Sequence, residues 1–170
     1  MCKKIFVILA ILIVNINFSQ EYSRTGIKVS PNEAKQFIDQ HNFARSEIGV
    51  SDIEWSEKLA SIAQNYANYL ARTSCNLIHS NNHKLGENLF QGSGKYYSAL
   101  DASVSWYEEK ELYTYEQINE TKNQNVGHYT QMIWKNTKYV GVGVAKCSNG
   151  SYIYVANYFP PGNYIGEYPY

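Results

Sequence analysis

The stretch YVGVGVAKCSNGSYIYVANY, Tyr139 to Tyr158, decides the fold. Tyr139 to Cys147 and Ser151 to Tyr158 alternate with the two-residue period of β-strands. Ser148-Asn149-Gly150 joins them, and an Asn-Gly pair between alternating runs is a strong hairpin signal, because both residues tolerate a left-handed backbone. The two strands are therefore expected to be antiparallel neighbours. Helical patterns fall on both sides of the strands along the chain. Together these signals predict an α+β protein, a three-layer α–β–α sandwich around a central, mainly antiparallel sheet.

Upstream, Ser30-Pro31 opens a helix whose residues Ala34, Phe37, Ile38, His41, Ala44 and Ile48 recur at helical spacing, and Gly49 ends it. Asp52 to Trp55 reads as a connector that sends Trp55 into the core. A second helix runs from Ser56 to Arg72, with its apolar stripe at Leu59, Ile62, Ala63, Tyr66, Ala67 and Leu70. His79 to Leu85 is loop-like. Glu87 to Phe90 reads as a short strand broken by Gln91 to Gly94. Ser98, with Asp101 three residues on, caps a third helix that carries Trp106 and Glu109. Residues 116–126 read as a polar loop, and His128 to Trp134 as a short helix.

A chain of 170 residues with 44% hydrophobic content is long enough for one domain with one core. Formal net charge is zero. No basic run or Gly-rich phosphate loop stands out, so nucleic acid is not an expected partner. Lys3 and Lys4 precede an unbroken apolar run, Ile5 to Val14, which is too short to span a bilayer and has the form of a signal-peptide core. Residues 1–19 are expected to be removed, with 20–30 as an arm and 31–170 as the folded domain. The protein is then secreted, without a membrane anchor and as a monomer. Cys2 leaves with the leader. Cys75 and Cys147 remain in an oxidising compartment, which favours a disulfide over two buried thiols.

Four residues carry the chemistry: His79, Glu87, Glu109 and His128. Two imidazoles and two carboxylates can form a metal site, an acid–base site or a buried polar network. On a continuous helix Glu109 shares a face with Trp106 and Tyr113, whereas Glu108 is turned to solvent. Glu87 shares a strand face with Leu85 and Leu89, so its carboxylate needs a partner or a cleft rim. His128 follows Gly127 at the expected start of a helix, where the dipole favours a neutral imidazole. His41 lies on the apolar face of the first helix and reads as a core histidine, and His83 sits in a polar loop. Ser80 and Thr130 are hydroxyls near these histidines in sequence, a common coincidence. Neither HExxH nor paired CxxC motifs occur, so spacing alone is a weak metal signal.

CNLIHS (Cys75 to Ser80), GEN (Gly86 to Asn88), Trp106-x-x-Glu109-x-x-x-Tyr113, GHYTQMIW (Gly127 to Trp134), and the run from VGVGVAKC to the tail YIYVANYFPPGNYIGEYPY resemble the CAP superfamily. This is the family of cysteine-rich secretory proteins, venom allergens and plant pathogenesis-related proteins. The resemblance spans about 33–170 and is greatest to compact plant-type members. It implies the α–β–α sandwich and a central cleft lined by His79, Glu87, Glu109 and His128. It also implies binding of Zn²⁺ or another divalent cation there, with no organic cofactor, and of a sterol or other lipid in some members. An extracellular receptor is a further implied partner, and a role in defence or signalling a further implied function. Plant-type members usually carry three disulfides; Cys75 and Cys147 match one. The positions of a second are Val142 and Ala156, and a third would fall near Val126, where no cysteine stands. The tail 160–170 resembles a peptide that some plant relatives release, but Phe159 and Ala156 depart from that pattern, and a tail packed on the domain is expected.

The leading expectation is a non-catalytic protein that binds a divalent cation, a small apolar ligand, or both. Phe90, Tyr96 and Tyr97 flank a Gly-rich turn and are the candidate aromatics for the apolar ligand. The rival is a metal-assisted or His/Glu-dependent extracellular peptidase using the same four residues.

Overall fold

A computed structural model describes residues 27–170, without the side chains of 120–124. The expected leader and residues 20–26 of the arm lie outside the described residues.

Helix α1, Pro31–Ser46, starts where its sequence requires. Ser30 Oγ accepts the Glu33 N–H at 3.2 Å, and the Glu33 carboxylate accepts the Ser30 N–H at 3.0 Å. Two amides left without helical partners are thus satisfied reciprocally, and Pro31 fills a position whose N–H has no partner to lose. Ser98 and Asp101 repeat the device at the start of α3, Ala99–Glu108. Helix α2, Glu57–Thr73, is capped by Ser56 alone.

Strands β1 (Glu54–Trp55), β2 (Gly86–Gly92), β3 (Tyr139–Lys146) and β4 (Tyr152–Phe159) form one sheet in the order β1-β3-β4-β2. β1 runs parallel to β3; the other two pairings are antiparallel. The alternation in the sequence separates two cores. Val140, Val142, Val144, Tyr154, Ala156 and Tyr158 face Phe37 and Ala44 of α1, Trp106 of α3, and Tyr129 and Met132 of α4, Glu120–Met132. Ala145, Cys147, Ile153, Val155 and Leu89 face Ala63, Ala67 and Leu70 of α2. Gly141 and Gly143 also fall on the α2 side. A Cβ on Gly141 would stand 2.2 Å from Ala60 N, and one on Gly143 2.2 Å from Gln64 N. The GVG pattern therefore lets the helix backbone rest directly on the strand.

The β3–β4 turn is the expected three-residue loop, Ser148-Asn149-Gly150. Cys147 N–H donates to Ser151 O (2.8 Å), Gly150 N–H donates to Cys147 O (3.0 Å), and only Gly150 takes positive φ, at 87°.

Three expectations change. First, α4 begins at Glu120, not at His128. The run ETKNQN has no apolar period to betray a helix, but Glu, Lys and Gln favour one, and the packed turn that follows anchors it. Second, Trp55 is only half-buried, with its indole N–H given to Glu57 at 2.8 Å; Ile53 is the connector residue that enters the core. Third, β2 continues through Gly92, past the expected break. Tyr97 lies so close to Gly92 that a Cβ there would fall 2.2 Å from its ring.

Arg45 is the unforeseen core residue, 1% exposed. Its guanidinium donates to four carbonyls: Ser51 (2.7 Å), Met132 (2.9 Å), Trp134 (3.0 Å) and Thr137 (3.0 Å). Burial lowers its pKa to about 10, against the raising influence of Asp52. A cation at the carbonyl end of α4 complements the helix dipole and ties α1 to α4.

Candidate functional site

The four candidate residues stand in two His–Glu pairs. The outer pair is His79–Glu87. Cys75 and Cys147 form a disulfide with a Cα–Cα distance of 6.0 Å, fastening the end of α2 to the β3–β4 turn. Gln91 Nε2 donates to Cys75 O at 2.9 Å, and Tyr66 OH to Ile78 O at 2.8 Å. These three ties bring His79 to β2, where its Nδ1 meets Glu87 Oε1 at 2.8 Å. The same oxygen accepts the Ser80 N–H at 2.9 Å. Asn157, opposite Glu87 in the β2–β4 ladder, stands 3.5 Å from the other oxygen. Burial raises the pKa of Glu87, but the bonds from His79 and Ser80 outweigh it and hold the carboxyl below its ordinary value.

The inner pair is Glu109–His128. Glu109 caps α3 and opens a 3₁₀ turn, Glu109–Leu112. Its Oε1 lies 2.5 Å from His128 Nδ1, and its Oε2 accepts the N–H groups of His128 and Tyr129, each at 3.0 Å. His128 sits in the second half of α4, so the helix-start argument for it does not apply. Yet Glu109 takes two amides inside that helix much as a capping carboxylate would. The imidazole stacks on Trp106, with centroids 5.9 Å apart and planes 22° apart, and Trp106 Nε1 donates to Leu89 O at 3.1 Å. The tail braces the far side of α4: Thr130 Oγ1 donates to Asn163 Oδ1 (2.7 Å), Asn163 Nδ2 to Gly127 O (2.8 Å), and Gly162 N to Gln131 Oε1 (2.9 Å).

Glu87 and Asn88 are neighbours on β2 and point to opposite faces of the sheet. Asn88 Nδ2 donates to His128 O and to Tyr158 Oη, both at 3.1 Å. Tyr158 OH in turn lies 2.9 Å from His41 Nε2, and His41 Nδ1 lies 2.8 Å from Phe37 O. A carbonyl only accepts, so Nδ1 carries the proton and Nε2 accepts from Tyr158. Burial, with the nearby Arg45 charge, lowers the His41 pKa to about 3, in keeping with that neutral tautomer. The network runs from the inner pair into the core. Asn88, Asn157 and Asn163 escaped sequence reasoning because an asparagine carries no periodicity signal of its own.

Among the described residues, no group of three or more His, Cys, Asp or Glu stands close enough to hold a metal together. Each pair instead presents one imidazole whose Nδ1 is engaged, leaving Nε2 as its donor atom. His83 is exposed. Thr130 is fully buried, its hydroxyl committed to Asn163 and Val126, and Ser80 gives its N–H to Glu87.

Two of the three candidate aromatics are packed. Phe90 and Tyr97 lie against the core, in edge-to-face contact with each other, and Tyr154 OH donates to Tyr97 O. Tyr96 is 49% exposed and gives its hydroxyl to Glu33 at 2.6 Å. An apolar groove of about 410 Å³ lies elsewhere, formed by Leu59, Ile62, Leu85, Tyr139 and Phe159 and rimmed by Lys58 and Lys84. The tail is packed: Tyr170 O accepts from Tyr115 OH (2.7 Å), Pro169 O from Lys135 N (2.7 Å), and Glu167 O from Ile118 N (2.9 Å).

With this geometry in place, the relatives are informative. The cysteine-rich secretory protein (CAP) family profile matches residues 38–158. Pathogenesis-related protein 1A of Nicotiana tabacum is 43% identical over 139 residues, 82% of each chain. Pathogenesis-related protein 1 of Arabidopsis thaliana is 42% identical over 136 residues, 80% of this chain and 81% of its own. The crystal structure of NaASP2 with Zn²⁺ superposes with a TM-score of 0.73 at 26% identity, covering 84% of this chain and 86% of that one. The chain belongs to the CAP family.

Proposed function

We propose that the chain is a secreted, defence-related binding protein, not a catalyst, that takes a divalent cation of the zinc type through Nε2 of His79 and His128. One observation carries this reading: each imidazole has its Nδ1 held by a carboxylate, at 2.8 Å in one pair and 2.5 Å in the other. Carboxylates orient metal-ligating histidines in this way and raise their basicity. The donor set suits Zn²⁺, and with few protein ligands the remaining positions fall to water or to a bound molecule, so binding is weak and exchangeable. The relative solved with Zn²⁺ supports the choice of ion. The names of the tobacco and Arabidopsis relatives support a role in defence, and the leader-like Lys3 to Val14 supports secretion. Binding is favoured over hydrolysis, because the Thr130 hydroxyl donates to Asn163 and the Ser80 hydroxyl accepts from Asn82, and neither bonds to His79 or His128 among the described contacts.

A specific observation favours a second ligand. The groove of Leu59, Ile62, Leu85, Tyr139 and Phe159 offers apolar walls with Lys58 and Lys84 at its rim, and no described salt bridge uses either lysine. This groove suits a small apolar ligand better than the packed Phe90 and Tyr97 or the Glu33-bonded Tyr96 do.

Calorimetric titration with Zn²⁺ tests the main reading. Binding is expected to weaken on acidification, because protonated imidazole cannot ligate. His79→Ala and His128→Ala each weaken it. Equal affinity in the wild type and both variants rejects the proposal.

A further inference from the structure

The chain contains two Asn-X-Ser/Thr triplets, Asn119-Glu120-Thr121 and Asn149-Gly150-Ser151, and neither has Pro at its centre. In an exported chain such a triplet is an acceptor for N-linked glycan. The side chain of Thr121 lies outside the described ones, so the second triplet is the one with a complete geometry.

Asn149 stands exposed in the β3–β4 turn, between exposed Ser148 and Gly150. Its Oδ1 accepts the Ser151 N–H at 3.0 Å and the Ser151 hydroxyl at 2.6 Å. A backbone N–H only donates, so the amide atom facing it is the oxygen. Nδ2, the atom that would carry a glycan, is therefore turned away from Ser151, and it enters no described hydrogen bond. A Cβ placed on Gly150 would meet nothing within 4 Å, so the turn is open beside the amide. A substituent on Nδ2 breaks no described contact.

Ser151 is the opposite case, with 3% of its surface exposed. Besides bonding to Asn149, its hydroxyl accepts from Gln91 Nε2 at 3.2 Å and lies 3.1 Å from the Cys75 sulfur. The triplet requires a hydroxyl at its third place, so a transferase must read Ser151 as well as Asn149. In the closed turn the amide is within its reach and the hydroxyl is not. The Cys75–Cys147 disulfide holds the enclosure shut, because it brings the Cys75 sulfur over Ser151.

We propose that Asn149 carries an N-linked glycan, added before the disulfide encloses Ser151. This rests on the reading of the chain as secreted. The donor is an oligosaccharide linked to a lipid diphosphate. Nδ2 attacks the anomeric carbon and a C–N bond forms. The C–O bond to the diphosphate breaks, Nδ2 gives up one proton, and the lipid diphosphate leaves. No oxidant or reductant is needed.

Two measurements test the two halves of the proposal. The full chain, with its own leader, is expressed in plant cell culture, and the secreted protein is reduced and cut with trypsin. The peptide 147–170 should show a ladder of hexose and N-acetylhexosamine masses on Asn149, and the Asn149→Gln variant should lack it. Secreted protein with an unmodified Asn149 would overturn this inference alone. A chain retained in the cell with its leader uncut would overturn the secretion reading, and this inference with it. For the order of events, unglycosylated Asn119→Gln protein is incubated with microsomal membranes and a lipid-linked oligosaccharide, either oxidised and folded or reduced and alkylated. The reduced chain should take up sugar at Asn149, and the folded one should not. Equal uptake by the two, or none by the reduced chain, would overturn the proposed order.

Discussion

The two His–Glu pairs differ in how their imidazoles are held. In the outer pair a carboxylate side chain only 8% exposed lies beneath an imidazole that is 63% exposed. In the inner pair the carboxylate is 20% exposed and the imidazole 37%, stacked on a buried indole. Glu87 anchors the loop that carries His79, whose imidazole is largely exposed. Glu109 joins α3 to α4, and its histidine is fixed by a helix, a stacking partner and two amides. The inner imidazole is thus the preorganised donor, and the outer one the adjustable donor. In the proposed cation site, ordering the exposed His79 would oppose binding.

The contrast implies that the inner pair fails only when the core fails. Arg45 provides the most severe test, because it holds the carbonyls of Met132 and Trp134 at the end of the helix that carries His128. Arg45→Met keeps an apolar stem but strands four buried carbonyls. Breaking a buried charged network of this kind costs about 3–5 kcal/mol. Urea denaturation should show a loss of that size. A loss under about 1 kcal/mol would mean that water replaces the guanidinium, since exposed substitutions usually stay within about 0.5 kcal/mol.

The disulfide gives the corresponding test of the outer pair. Replacing both Cys75 and Cys147 by Ser removes a link across 72 residues. The expected loss is about 2–4 kcal/mol. The imidazole resonances of His79 should move while those of His128 stay, because only His79 hangs from the fastened loop. Equal movement of both would show that the pairs are one cooperative unit, and the contrast between them would fall.

Much of this frame was legible in the sequence, for identifiable reasons. The β3–β4 alternation, the Ser30/Glu33 and Ser98/Asp101 caps and the α2 stripe are local patterns that the chain obeys. The preference for Glu109 over Glu108 came from helical geometry, and the structure leaves Glu108 exposed. What stayed hidden depends on distant partners. Arg45 looks like any solvated helix charge until four carbonyls from other elements surround it. The start of α4 is polar and has no period to read. The grouping of four site residues came from family resemblance, not from spacing. Val142 and Ala156, the positions where the family resemblance implies a second disulfide, are cross-strand partners. An apolar contact therefore occupies a place suited to a covalent one.

Substituting the two carboxylates sharpens the comparison on a smaller scale. Both oxygens of Glu109 accept bonds, so Glu109→Gln must turn an amide N–H₂ toward another donor. A hydrogen bond to a charged group contributes about 1.5–3 kcal/mol, and a loss of about 2 kcal/mol is expected. Glu87 is more forgiving. Its Oε1 does most of the accepting, and the Asn157 Oδ1 beside it is buried without a partner. Glu87→Gln can keep its oxygen toward His79 and, once the Asn157 amide turns over to present Oδ1 in place of Nδ2, offer its N–H₂ to Asn157, so a loss of at most about 1 kcal/mol is expected, one ordinary hydrogen bond. A greater loss from Glu87→Gln than from Glu109→Gln would reverse the assignment of the rigid pair.

The smallest effect is one of pH, and it isolates the charge of Glu87 from its shape. The folded-state pKa of Glu87 lies below its ordinary value of 4.5, because the bonds from His79 and Ser80 outweigh burial. A carboxyl depressed in the folded state contributes stability above its unfolded pKa and loses that contribution as pH falls through the folded value. The wild type should therefore lose stability below about pH 4.5 partly through this group, whereas Glu87→Gln has no proton to take up there. The stability of the wild type relative to Glu87→Gln should shrink on acidification from about pH 6 to about pH 3, with a slope of at most about 1.4 kcal/mol per pH unit for a single proton. Glu33, Glu47 and Asp101 are depressed as well and steepen the acid limb of both proteins alike, so they cancel in the difference. Parallel stability curves for the two proteins would show that Glu87 gains nothing from ionising beneath His79. The outer pair would then be a neutral contact, and its imidazole would lack the carboxylate orientation on which the proposed metal binding rests.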